Sequence, residues 1–137
     1  MEQRLVLIIE SDMNAIGQMR RVLAGMGLRV YAVSDEAALQ DLTPSLLRAA
    51  TPPALIIARV ALASGSGIRM LEDTAGSFPD AGRLLVSHHP RTLLMSVPGF
   101  SRYVGDFLQA EFTDDQFRAA VEGALQKPDL TKDVVQP

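Results

Sequence analysis

Cysteine and tryptophan are both missing from the 137 residues, and only 5% of the residues are aromatic. Without cysteine the chain has no disulfides, no thiolate metal site and no thiol nucleophile, which fits a reducing cytoplasm. An excess of one charge is missing too. The net charge is −3, and the basic residues nearest to a cluster (Arg20, Arg21, Arg29, Arg48, Arg59) are scattered and not interleaved with aromatics. Nothing here steers toward nucleic acid or anionic lipid. Long apolar runs are also lacking. The first, Leu5 to Ile9, has five residues, too few to span a membrane, and no small-residue cleavage site follows it. Repeats and low-complexity tracts are absent. The expectation is one cytoplasmic domain with a single core, without nucleic-acid or membrane partners.

What is present is a regular alternation of elements. Leu5-Val6-Leu7-Ile8-Ile9 is continuously apolar and β-branched, as in a strand covered on both faces. Ile16, Met19, Val22, Leu23 and Met26 then recur at helical spacing, with Gly25 and Gly27 as the stop. Leu28 to Val33 reads as a second strand, and Ser34-Asp35-Glu36 caps a helix carrying Ala38, Leu39 and Leu42. Pro44 is expected to break or restart that helix, and Thr51-Pro52-Pro53 to form a turn. Leu55 to Ile57 is the third strand, and Ala63 to Gly67 a loop before a helix over Ile68 to Thr74. Leu84 to Val86 is the fourth strand, Leu93 to Met95 a short helix, and Phe107-Leu108 the fifth strand. Phe112 to Leu125 is the last helix, capped by Thr113-Asp114-Asp115. Residues 127–137 read as a flexible tail or the start of a linker after a domain over residues 1–126.

Strands alternating with helices imply an α/β sandwich around a parallel sheet. Ligands of such sheets lie beyond the carboxyl ends of the strands. The residues placed there are Glu10, Ser11, Asp12, Arg59, Ser87, His88 and Ala110.

Over residues 4–126 the chain resembles the receiver domains of bacterial response regulators. The strongest stretch, Pro53 to Leu71, aligns without a gap on the family's pattern of an apolar strand, a phosphoacceptor Asp and a loop ending in Gly before a helix. The resemblance puts Arg59 at the phosphoacceptor position and Gly67 at the loop glycine. The acidic pair after the first strand falls on Glu10 and Ser11, and the hydroxyl after the fourth on Ser87. The aromatic switch residue is Phe107, and the Lys-Pro step is replaced by Ala110-Glu111. The implied fold is CheY-like and flavodoxin-like, a doubly wound five-stranded parallel sheet of order 2-1-3-4-5.

The same resemblance implies a degenerate phosphorylation pocket built of Glu10, Ser11, Asp12, Arg59, Ser87 and Ala110. Three carboxylates recruit a hard divalent cation in a working receiver. Here Ser11 and Arg59 replace two of them and Ala110 replaces the lysine, so an internal ion pair of Arg59 with Glu10 or Asp12, without metal or cofactor, is expected. Arginine stays protonated and offers no nucleophile, and no enzymatic activity is expected. The family's partner face, formed by its fourth helix, fifth strand and fifth helix, falls on Leu93, Leu94, Phe100, Tyr103 and Phe107. A protein partner, a second copy of the chain included, is the expected ligand of this signalling module. Two alternatives stand beside it: a small anion held by Arg59, and residual phosphorylation at Asp12. The adjacent His88-His89 and the Gly65-Ser66-Gly67 loop lack the ligand spacing of a metal site and the Lys-Ser/Thr ending of a phosphate cradle.

Overall fold

In the computed structural model, residues 4–49, 52–59, 66–89 and 106–126 are described. The all-apolar β1 (Leu5–Ile9) is buried along its whole length. Burial on both faces is why it is apolar at every position rather than at alternate ones. β1 pairs in parallel with β2 (Arg29–Val33) on one side and β3 (Pro53–Arg59) on the other. β4 (Gly82–Ser87) and β5 (Asp106–Gln109) complete a parallel sheet in the order β2-β1-β3-β4-β5.

Alternate side chains divide into two cores. Leu5, Leu7, Ile9, Ile56, Ala58 and Leu85 face α2 (Glu36–Arg48) and α3 (Ser66–Ser77), where they meet Leu39, Leu46 and Met70. Val6, Ile8, Leu55, Ile57, Leu84 and Val86 face α1 (Met13–Gly25) and α4 (Asp114–Gln126), where they meet Met19, Leu23, Phe117 and Val121.

The helix ends are set by local chemistry. The Asp12 carboxylate caps α1 and that of Asp35 caps α2. The chain turns after α1 through Gly27 at φ 77°, a conformation that glycine adopts without a Cβ penalty. Gly25, expected to share in that stop, is the last helical residue. At α4 the Thr113 hydroxyl accepts from the Gln116 N–H (3.1 Å), and the Gln116 side chain accepts from the Thr113 N–H (2.8 Å). Phe112 and Phe117 stack across this box with centroids 5.3 Å apart, so that a capping box and a hydrophobic staple coincide.

Two proline expectations are corrected. Pro44 lies inside an unbroken α2. Pro44 and Gln40, whose carbonyl loses its helical partner, are both exposed, so the lost bond lies on a solvated face where it costs little. The Thr43 hydroxyl adds a bond to the Leu39 carbonyl (2.7 Å). Pro53 belongs to β3 and not to a turn, pairing with Leu5 as the first strand residue, where no ladder donor is needed. α3 also runs from Ser66 to Ser77, longer than the expected Ile68 to Thr74, and takes in Gly67. The helix expected over Leu93 to Met95 lies outside the described residues. No helix among the described residues is long and apolar enough to cross a membrane.

Candidate functional site at the carboxyl edge of the sheet

Strand register assembles this edge. Ile9 pairs with Ala58, so the next residues, Glu10 and Arg59, stand side by side. Glu10 extends the β1 ladder by donating its N–H to the Val33 carbonyl (3.0 Å). Its side chain is only 2% exposed and forms an ion pair with the Arg59 Nε. The other carboxylate oxygen accepts the N–H groups of Ser11 (2.8 Å) and Asp12 (3.1 Å). Glu10 therefore ties three things together: the end of β3, the β1–α1 turn and the start of α1. Arg59 supplies the countercharge that makes such a buried carboxylate tolerable.

The remaining edge residues have structural partners. Asp12 spends its carboxylate on the Asn14 N–H (2.9 Å) and the Ala15 N–H (3.4 Å). Ser87, fully buried at the end of β4, accepts the His89 N–H at 3.1 Å, and its carbonyl accepts the Ala110 N–H at 2.8 Å. Ala110 packs half-buried against the α1–α4 core, and the peptide between Ala110 and Glu111 is cis. Ser11 and His88 are exposed. Between these groups lies an open cleft of about 350 Å³, lined by Asp12, Asn14, Gln18, Arg59, His88 and Glu111 among others. Among the described residues, no three acidic or histidine side chains gather as a cation-holding group.

All six expected pocket residues, Glu10, Ser11, Asp12, Arg59, Ser87 and Ala110, thus converge on one edge. Phe107 is half-buried and packs against the α2–α3 core. Leu93, Leu94, Phe100 and Tyr103 lie outside the described residues. Sequence reasoning missed Gln18, which donates to the Phe112 carbonyl (3.1 Å) and to Asp114 (3.1 Å) from across the cleft. Arg21 pairs with the same Asp114 at 3.1 Å. The Gln18 hydrogen bond first, and then Arg21, hold the Asp114 carboxyl below its ordinary pKa of 3.8. The partners stand more than ninety positions apart, so the only available signal was that Gln18 and Arg21 share one side of α1.

No family model and no curated protein matches the chain. Solved structures do. The receiver domain from Methanospirillum hungatei JF-1 superposes with a TM-score of 0.74 at 14% identity, over 90% of this chain and 94% of that one. The signal receiver domain of an HD domain-containing protein from Pseudomonas fluorescens Pf-5 gives 0.76 at 16%, over 98% and 95%. An orphan response regulator of H. pylori gives 0.71 at 15%, over 90% and 97%. The chain has the response-regulator receiver fold.

In that fold the carboxyl edge of the sheet is where chemistry is to be sought. The residue that ends the receiver's third strand here is an arginine, Arg59, already engaged by the neighbouring strand's Glu10. Its guanidinium has no lone pair for attack on phosphorus. Of the carboxylates at this edge, Glu10 is buried under Arg59, Asp12 caps α1 and Glu111 lines the cleft. At this edge of the receiver fold an internal ion pair occupies the end of β3.

Proposed function

We propose that the chain is a phosphorylation-independent pseudo-receiver, a signalling module that acts by binding another protein. The Glu10–Arg59 ion pair carries this reading. It places a cation, satisfied from within the domain, at the end of β3, and it ties β1, β3 and the start of α1 into one arrangement without phosphate. Ser11 and Ala110 fit the same reading, since neither supplies a carboxylate or an ammonium group. The partner face is the one that the receiver resemblance assigns to Leu93, Leu94, Phe100, Tyr103 and Phe107.

The alternatives have less support. An anion approaching Arg59 meets Glu10, Asp12 and Glu111 nearby, which weakens its attraction. Asp12 already accepts two capping hydrogen bonds on one oxygen, and phosphorylation of the other would remove the carboxylate charge that favours them. Acetyl phosphate with magnesium, followed by intact-mass measurement, tests the proposal. The expected mass is unchanged. A gain of one phosphoryl group overturns the reading, and its loss in Asp12→Ala would identify the acceptor. Leu93→Glu and Phe100→Glu are expected to abolish partner binding while leaving the circular dichroism spectrum unchanged.

A further inference from the structure

β2 ends the strand order, and among the described residues no strand pairs with its outer side. Arg29 donates its N–H to the Arg4 carbonyl (2.9 Å) and Val33 accepts from the Glu10 N–H (3.0 Å), so both turn their backbone groups toward β1. Backbone groups of successive strand residues point to opposite sides. The N–H and C=O groups of Val30 and Ala32 are thus directed off the sheet. Edge strands of this kind are commonly guarded by proline, by charged side chains, lysine above all, or by a bulge. The five-residue Arg29–Val33 segment, RVYAV, has no proline, carries a single charge, at its first position, and pairs with β1 without a register shift. Tyr31, at its centre, is 42% exposed.

We propose that β2 is the seam of a symmetric dimer, in which two copies of this chain pair antiparallel across a twofold axis at Tyr31 and continue the sheet from one copy into the other. The proposal is independent of whether the domain accepts phosphate. In this register Val30 of each copy faces Ala32 of the other as a hydrogen-bonded pair, and the four outward groups of each edge are all matched. Tyr31 then faces Tyr31 of the second copy in a non-hydrogen-bonded pair, with Cα atoms about 4.5 Å apart. The two rings meet beside a cleft of about 300 Å³ between β2 and α2, lined by Leu5, Leu42 and Leu46 among others.

Charge selects the same arrangement. Arg29 faces Val33 of the second copy, and two residues further along that chain stands Asp35, a diagonal neighbour on the same face. The backbone at Asp35 is extended (φ −154°, ψ 177°) at the point where the chain bends from the end of β2 into α2. One carboxylate oxygen of Asp35 caps α2 through the Ala38 N–H (2.8 Å), and its negative charge faces outward, exposed. The twofold axis forms two such Arg29–Asp35 pairs and holds the two Arg29 residues four strand positions apart, roughly 13 Å. In-register parallel pairing would set Arg29 beside Arg29, and a strand of another protein has no reason to carry this complementary spacing.

The absence of native cysteine makes the seam testable by cross-linking. Tyr31→Cys places two thiols within disulfide range across the axis, and Gln40→Cys, exposed on α2, is the control. Light scattering of the unmodified chain is expected to show a dimer, and mild oxidation is expected to link Tyr31→Cys but not Gln40→Cys into covalent dimers. Ala32→Pro removes an outward N–H and is expected to give a monomer with an unchanged circular dichroism spectrum. An unmodified chain that stays monomeric, a dimer that a folded Ala32→Pro variant retains, or equal cross-linking at the two positions overturns the proposal. Should Ala32→Pro fail to fold, the cross-linking comparison decides. A dimer that survives Ala32→Pro and is lost in Phe100→Glu would assign the contact to the face that the receiver resemblance implies.

Discussion

At the scale of single residues, the molecule turns on how Glu10 is satisfied. Its side chain is 2% exposed, while that of Arg59 is 22% exposed, so the pair is only partly open to water. Removing Arg59 leaves a buried carboxylate with two amide donors and no countercharge. Arg59→Ala is therefore expected to cost about 2–4 kcal/mol, since breaking one side of a buried pair is costly and water reaches this one in part. Glu10→Gln combined with Arg59→Met should return most of that loss. The glutamine oxygen can still accept the Ser11 and Asp12 amides, and no charge is left to desolvate. Urea unfolding of the three proteins checks this. Equal destabilisation of single and double variants would mean that packing around Arg59, and not its charge, holds the edge together. Gly82 is a second residue whose identity is dictated by its surroundings. A Cβ there would lie 2.6 Å from the Ala124 carbonyl oxygen, backbone that cannot rotate away. Gly82→Ala must push the end of α4 off β4, and a loss of about 1–3 kcal/mol, typical of overpacking, is expected in the same assay.

At the scale of elements, α4 is fixed at its start by two devices of different kinds. The Thr113–Gln116 box satisfies the first amides, and the Phe112–Phe117 stack sets the angle at which the chain enters. Thr113→Ala is expected to cost about 1 kcal/mol, the usual worth of an N-cap. Asp114 then couples α4 to α1. Because Gln18 and Arg21 hold its pKa below 3.8, the folded state binds this proton less readily than the unfolded chain does. The group adds stability at pH values above its unfolded pKa, and that contribution is lost as pH falls through the folded value. Asp114→Asn is accordingly expected to be less stable than the unmodified chain at about pH 7, with the gap closing toward about pH 3. Unfolding midpoints at the two pH values test it, and a gap that stays constant would show that the ionised form of Asp114 is not what α1 recognises.

At the scale of the whole molecule, the strands buried on both faces were legible because such strands need apolar residues at every position. β1, β3 and β4 announced themselves in this way, and with the helical spacings between them they imply the doubly wound sheet. Pro44 and Pro53 misled because their cost depends on context: a helical proline is cheap on a solvated face, and a strand proline is cheap at the first residue. An ion pair of Arg59 with Glu10 or Asp12 was legible because the receiver resemblance set these residues in one pocket, and the register of β1 on β3 decides it for Glu10. The Gln18–Asp114 and Arg21–Asp114 contacts were not, since nothing local distinguishes a polar helix residue with a distant partner from one facing water. The assembled edge has a consequence for cation binding that belongs to the fold as a whole. A cation bound only by the native state, present at a hundred times its dissociation constant, would stabilise that state by about 2.7 kcal/mol. Here Glu10 is engaged by Arg59 and Asp12 by the start of α1, and among the described residues the third edge carboxylate, Glu111, does not gather with them into a cation-holding group. The melting midpoint is expected to stay within about 1 °C when chelator is replaced by about 10 mM magnesium at matched ionic strength, because general screening is then equal. Arg59→Asp combined with Ser11→Asp frees Glu10 and adds two carboxylates beside it. That variant should lose stability without magnesium, from crowded like charges, and regain it in a saturable way as magnesium is added. A saturable rise in the unmodified chain would instead mean that Glu10 exchanges Arg59 for the cation, and the ion pair would then be a gate rather than a lock.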